Sequence, residues 1–315
     1  MRKALITGIT GQDGYYLSKL LLEKGYEVYG LIRRHNRVGT ELGTVQSLES
    51  ELNFEYGDMT DASSLESAIH RVAPTEIYNL AAQSHVKVSF DTPGYTANVN
   101  ALGVTHLLDA VRRTTPYARV YQASTSEMFG NVQDADGFQR ESTPMRPVSP
   151  YGIAKLYAHQ MVNVYRQQHN LFACSGILFN HESPKRGDLF VTKKIINYVK
   201  EGNFSNKLEL GNLEARRDWG HAEDYVEGMW RMLQQQTPED FVLATGKTYS
   251  IKDFLHYAFT QAGHLDYSSY VTTTSKFLRP EEVNYLCGDS TKAKTLLGWQ
   301  PKHNLITLIQ SMLEG

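Results

Sequence analysis

The feature that most narrows the fold lies at the amino end. The apolar run Lys3-Ala-Leu-Ile-Thr7 leads directly into Gly8-Ile9-Thr10-Gly11-Gln12-Asp13-Gly14, after which Leu17, Leu20 and Leu21 recur at helical spacing. A short buried strand, a glycine turn and a helix in immediate succession are the opening unit of a βαβ fold. Glycines allow a tight turn and the close approach of backbone to a pyrophosphate, and the helix start offers free amides and the positive end of the dipole. The unit predicts a dinucleotide site. Strand-like Glu27-Val-Tyr-Gly-Leu-Ile32 then ends in Arg33-Arg34, about where an NAD enzyme would carry a ribose-binding acid. Two guanidiniums suit a 2′-phosphate, so NADP is the expected cofactor.

The same rhythm continues in Glu76-Ile-Tyr-Asn-Leu80, a helix from Tyr95 to Arg113 and a strand at Val120. It predicts an α/β fold: a Rossmann-type doubly wound parallel sheet with a smaller substrate-binding C-terminal domain. With 315 residues the chain exceeds the usual single core. Residues 1–175 are read as the NADP-binding domain, with return segments near 220–246 from a helix around Asp224–Leu233 and a strand at Phe241–Thr245. Residues 176–315 are read as mainly substrate-binding and interleaved with the first. The stretches Arg33–Glu51 and Val132–Ser149 read as irregular loops.

Composition excludes several classes. A net charge of −2, with 41% hydrophobic and 21% charged residues, gives no bulk attraction to nucleic acid or anionic membrane. No apolar run approaches the ~20 residues that span a bilayer. Two distant cysteines, Cys174 and Cys287, fit a reducing compartment and lack metal-ligand spacing. The expectation is a cytoplasmic enzyme without a metal.

Chemistry concentrates in Gln122-Ala-Ser-Thr125-Ser-Glu127, followed by Tyr151-Gly-Ile-Ala-Lys155. Tyr151 and Lys155 are one helical turn apart, so the ammonium can favour the phenolate. The strand Arg119–Ala123 would deliver Thr125 and Glu127 to a carboxyl-end loop, where open α/β sheets bind ligands.

These segments resemble the extended short-chain dehydrogenase/reductase superfamily and, within it, the GDP-mannose 4,6-dehydratase family. The closer likeness rests on Tyr78-Asn-Leu-Ala-Ala-Gln-Ser-His85, Gly176-Ile-Leu-Phe-Asn-His-Glu-Ser-Pro184, Arg217-Asp-Trp-Gly220 and Arg279-Pro-Glu-Glu282, with the motifs above. The resemblance implies loss of water from GDP-mannose to give GDP-4-keto-6-deoxymannose, with NADP reduced and reoxidised in each turnover. It assigns catalysis to Thr125, Glu127, Tyr151 and Lys155. It assigns cofactor contacts to Gly8, Ile9, Thr10, Gly11, Gln12, Asp13, Arg33, Arg34, His35, Asn36, Asp58, Met59, Leu80, Ala81, Ala82, Gln83, Ser84, Tyr95, Lys155, His181 and Arg186. Substrate contacts fall to Ser84, Glu127, Asn180, Lys194, Arg217, Arg279 and Glu282.

Two departures leave alternatives open. Val148 stands where the family carries Arg before Ser-Pro-Tyr, so another GDP-sugar such as a GDP-manno-heptose is an alternative substrate. His35-Asn36-Arg37 replaces serines that serve a tetramer interface, which leaves a homodimer or a homotetramer. A non-catalytic NADP-binding protein is the reading from another class, and a reductase or epimerase of the superfamily is a third.

Overall fold

Short extended segments pair through their backbones, in this computed structural model, as the strands β1 Lys3–Thr7, β2 Glu27–Ile32, β3 Asn53–Tyr56, β4 Glu76–Asn79, β5 Arg119–Thr125 and β6 Ala173–Leu178. They are followed by β7 Asn180–Glu182, β8 Leu208–Leu210, β9 Arg216–His221, β10 Phe241–Leu243, β11 Thr248–Ser250 and β12 Val271–Thr273. The structure describes residues 2–34, 42–264, 266–278 and 281–315. Seven strands form one parallel sheet in the order β10-β6-β5-β4-β1-β2-β3. The order reverses between β1 and β4, which opens the ligand crevice at the carboxyl ends of these strands. A second sheet, β11-β9-β7, and a pair, β12-β8, follow.

The helices are α1 Gln12–Glu23, α2 Ala62–Val72, α3 Val86–Asp91, α4 Pro93–Ala97, α5 Gly103–Thr114, α6 Pro150–His169, α7 Val191–Glu201, α8 Ala222–Leu233, α9 Ile251–Gln261, α10 Thr291–Leu297 and α11 Leu305–Glu314. One face of the main sheet is closed by α1 and α8 through Leu17, Leu21, Val226 and Met229. The other face is closed by α2, α5 and α6 through Leu65, Leu107, Val111 and Val162. With both faces covered, the central strands can be apolar almost throughout, as β6 is. A separate core of Ile195, Phe254, Leu255, Leu308 and Ile309 joins α7, α9 and α11.

Two elements depart from the sequence reading. The helix expected from Tyr95 to Arg113 is interrupted by a π turn over Asn98–Leu102 between α4 and α5. There Asn100 donates to the Gln83 carbonyl and accepts from its N–H, both at 2.8 Å. The wider turn thus ties the helix to the loop after β4, the kind of local role such turns often have. The stretch expected to be irregular up to Glu51 is a 3₁₀ helix over Gly43–Glu51. Thr44 Oγ1 donates to the Gly11 carbonyl at 2.7 Å, which fixes that helix over the glycine turn.

Gly14 shows why the turn needs glycine. A Cβ there would lie 2.1 Å from the backbone oxygen of Ile9, so α1 could not start where it does. Gly14→Ala is expected to lower stability by about 1–3 kcal/mol, the usual cost of forcing atoms into a packed site. Chemical denaturation measures this, and an unchanged midpoint would contradict the packing argument.

Candidate active site

The first turn of α1 is open to a ligand because its N-cap, Gly11, offers no side chain to cap it. An anion can therefore take the place that a capping oxygen would fill. Gly8 has φ +69° and an added Cβ would meet the Ala81 nitrogen at 2.7 Å, so the turn lies directly on the loop after β4. The resulting cleft is lined by Gly8, Thr10, Gly11, Gln12, Asp13, Arg33, Asp58, Met59, Leu80, Ala81, Ala82, Ser84, Tyr95 and Arg186. Arg33 donates to the Tyr95 hydroxyl at 2.9 Å at its rim.

Lys155 and His181, also expected to contact the cofactor, line the cavity beyond this cleft, and Ile9, Gln83 and Arg34 line neither. Ile9 is fully buried, and its side chain packs on Gly30, so only its backbone can serve a ligand. The Gln83 backbone bonds Asn100 and its side-chain Nε2 donates to the His85 carbonyl. The Arg34 guanidinium lies 5.9 Å from the centre of the Tyr56 ring. His35, Asn36 and Arg279 lie outside the described residues.

A larger cavity continues from this cleft, sharing Asp13, Leu80, Ala82, Ser84 and Arg186 with it. It gathers Thr125, Glu127, Tyr151, Lys155, Asn180, His181, Lys194, Arg217 and Glu282. Thr125 ends β5, and its Oγ1 accepts from the Glu127 N–H at 3.2 Å, which turns the chain so that Glu127 follows into the cavity. Ser149 caps α6 by accepting from the Gly152 N–H, and Pro150 occupies the first turn. A Cβ on Gly152 would lie 2.9 Å from the Glu127 carbonyl oxygen, so this glycine lets the two elements touch.

The electrostatics differ from the simple expectation for Tyr151 and Lys155. Both side chains are buried on one face of α6. Yet Lys155 Nζ donates to the Ala123 carbonyl at 2.9 Å and stands 5.9 Å from the centre of the Tyr151 ring. Burial pushes the Tyr151 phenol up to about 12, against a hydrogen bond with Thr125 that lowers it. Burial also brings the Lys155 ammonium down to about 8, against the attraction of Asp13. Proximity on the helix thus does not by itself make the phenol a base.

Asp13 and His181 form the electrostatic hinge of the two cavities. The Nε2 of His181 lies 2.8 Å from the Asp13 carboxylate, and its Nδ1 lies 2.8 Å from the Phe179 carbonyl, which can only accept. Burial disfavours the charged imidazole, but Asp13 and the carbonyl outweigh it and raise its pKa. The His181 ring also stacks on Tyr225 at 4.5 Å.

Further along, Arg186 Nε lies 2.9 Å from the buried Glu182 carboxylate, with the guanidinium over Phe190. Arg217 pairs with Glu282 at 3.0 Å, and Lys194 lies 4.7 Å from the centre of the Phe277 ring. The Oδ1 of Asn180 is buried without a hydrogen-bond partner among the described residues, as suits an acceptor kept for a ligand. The anchors Glu182 and Asn100, and the cavity residues Phe190, Asn212 and Phe277, were not legible as site residues. They sit in separate segments with no shared spacing.

His221, Glu223 and His303 bring ligand-type atoms within 4.8 Å of one another, away from these cavities. His221 Nδ1 accepts from the Glu223 N–H as the N-cap of α8, and His303 Nδ1 is held by Asp224, so both rings already have structural partners.

A family model described as GDP-mannose 4,6 dehydratase matches residues 5–312. GDP-mannose 4,6 dehydratase 2 of Caenorhabditis elegans is 48% identical over 98% of this chain and 87% of its own. GDP-mannose 4,6 dehydratase of Homo sapiens is 48% identical over 99% of this chain and 90% of its own. Among solved structures, dTDP-glucose 4,6-dehydratase from Bacillus anthracis in complex with NAD has a TM-score of 0.86 at 21% identity, covering 100% of this chain and 96% of that one. That last likeness is one of fold.

Proposed function

This chain belongs to the GDP-mannose 4,6 dehydratase family, which makes it a dehydratase that converts GDP-mannose to a 4-keto-6-deoxy product, and we propose that it does so by internal hydride transfer from carbon 4 to carbon 6 on bound NADP. The observation that carries this route is the convergence of Thr125, Glu127, Tyr151 and Lys155 in a cavity continuous with the dinucleotide cleft. An alcohol oxidation alone needs no second acid or base beside Tyr151, whereas an elimination does.

The cleft fits a nicotinamide dinucleotide on its own chemistry. The uncapped start of α1 and the close backbone at Gly8 suit a pyrophosphate, and Arg33 at the end of β2 suits a 2′-phosphate. The nicotinamide, when bound, supplies the acceptor and donor of hydride. The chain supplies the proton chemistry. Tyr151 takes the proton of the hydroxyl at carbon 4, and Thr125 hydrogen-bonds near the oxygen that becomes a carbonyl. Once carbon 4 is a ketone the proton at carbon 5 is acidic, and Glu127 removes it and passes it to the departing hydroxyl of carbon 6. Lys155 orients the cofactor ribose. Asn180, Lys194, Arg217 and Glu282 hold the nucleotide sugar, the cations facing its diphosphate.

Purified protein given GDP-mannose with no added cofactor or reductant is expected to form a product lighter by one water. Mass spectrometry reads this, and an unchanged sugar nucleotide argues against the route. For the cofactor, Arg33→Ala is expected to weaken NADP by about 1.5–3 kcal/mol, the scale of a charged hydrogen bond, and NAD far less. Equal losses in direct binding would remove the 2′-phosphate contact.

Two broader features belong to the same proposal. The outward faces of α6 and the turn before α5 expose Ile153, Tyr157, Val164 and Leu102, a surface suited to a homodimer. Cys174 and Cys287 are buried free thiols, as suits the cytoplasm, and no helix among the described residues is long and apolar enough to cross a membrane.

A further inference from the structure

The wall between the substrate cavity and a second, separate cavity holds a pair of proton-carrying groups that the chemistry above does not use. Ser124 immediately precedes Thr125 and lines the substrate cavity. Its hydroxyl lies 3.3 Å from Nδ1 of His159, which stands one turn beyond Lys155 on α6. Both side chains are almost fully buried. His159 also lines the second cavity, together with Glu141, Arg166, Glu239, Asp240 and Lys292.

The charged groups of that cavity are already engaged with one another or with the backbone. Arg166 pairs with Asp240, Lys292 with Glu239, and Glu141 accepts from the Val242 N–H. Their arrangement leaves little call for a charged ligand. The other oxygen of Asp240 stands 4.0 Å from Nε2 of His159, on the cavity side of the ring. Burial lowers the His159 pKa against the attraction of Asp240, which favours the neutral ring, able to accept at one nitrogen while donating from the other.

The reaction moves protons both out of and into the site. The carbon 5 proton leaves in the expelled water, so the product must take up another proton at carbon 5. Tyr151 ends the oxidation holding the proton of the carbon 4 hydroxyl and must release it before the next turnover. We propose that Ser124 and His159 form a proton conduit between the two cavities. Outward, Ser124 gives its proton to Nδ1 of His159 as it receives one from the substrate cavity, and His159 releases its Nε2 proton to water in the second cavity. Inward, the same transfers run in reverse and deliver a proton for carbon 5. One passage each way leaves Ser124 and His159 with their original protons and the ring in its original tautomer.

The inference rests on the roles given to Tyr151 and Glu127, and the experiment keeps the two apart. Turnover of GDP-mannose is measured with the full chain as His159→Ala, His159→Gln and Ser124→Ala, with and without added imidazole. Each variant is expected to lose about 10- to 100-fold in kcat, the lower part of the range for positioned proton transfer, at unchanged KM. Imidazole entering the second cavity should restore much of the rate to His159→Ala and none to Ser124→Ala, whose break lies on the far side of the ring. His159→Gln can still hydrogen-bond Ser124 but cannot pass a proton, so it should be as slow as His159→Ala. Wild-type rates in a folded Ser124→Ala or His159→Gln, or a loss in His159→Ala that imidazole does not restore, overturn the conduit. Failure of the wild type to move a carbon 4 deuteron to carbon 6 would instead overturn the underlying mechanism.

Discussion

Glu127→Gln is expected to keep the fold and the cofactor affinity while lowering dehydration by about 10²- to 10⁴-fold, the range for a positioned acid or base. The side chain is buried just after the carboxyl end of β5, its backbone held by the Thr125 hydroxyl and packed against Gly152 of α6. An amide fits that space but can neither take the proton of carbon 5 nor hand it to the leaving hydroxyl. Oxidation at carbon 4 depends on Tyr151, so the variant should still draw hydride from the substrate and stall there. A single turnover followed by absorbance of the reduced nicotinamide, alongside product mass, separates the two steps. Near-normal water loss by a folded variant would take Glu127 out of the mechanism.

The parts of this architecture that could be read from the chain are those whose cause is local. Gly8 and Gly14 must be glycine because backbone from Ala81 and Ile9 occupies the space of a side chain, and the strand before them and helix after them carry their own periodicity. Ser149, Pro150 and the spacing of Tyr151 to Lys155 likewise define the start and inner face of α6. The π turn at Asn98–Leu102 was hidden because its reason, Asn100 bridging to Gln83, lies in another segment. The helix at Gly43–Glu51 was hidden because only Val45 of its nine residues is buried, so no apolar stripe marks it.

The charge relations in the site were equally out of reach. Sequence spacing places Lys155 beside Tyr151 on a helix, but it cannot show that a carbonyl of β5 captures the ammonium. Nor can it show that Glu182 anchors Arg186 from the end of β7. In both cases the partner is fixed by sheet topology, and the energetic outcome depends on burial.

Tyr151→Phe is expected to abolish the transfer of deuterium from carbon 4 to carbon 6, with a rate loss of at least about 10²-fold, since the first proton acceptor is gone. Burial holds the phenol up at about 12, with the Thr125 hydrogen bond and the Arg186 charge lowering it and the Glu127 and Asp13 charges raising it. A phenol so high acts as a base only to the extent that nearby positive charge pulls it down, and Lys155 is turned toward Ala123. The rate of the first step in the wild type should therefore climb as pH rises through the neutral range, because each unit raises the phenolate fraction. In Tyr151→Phe that climb should vanish along with the label transfer, while Glu127→Gln should keep it. Wild-type protein given substrate deuterated at carbon 4 should place the deuteron at carbon 6 with no lasting accumulation of reduced cofactor. If the label stays on free reduced cofactor, or solvent hydrogen appears at carbon 6, the internal cycle is wrong, and the same four residues would have to be reassigned to a different redox route.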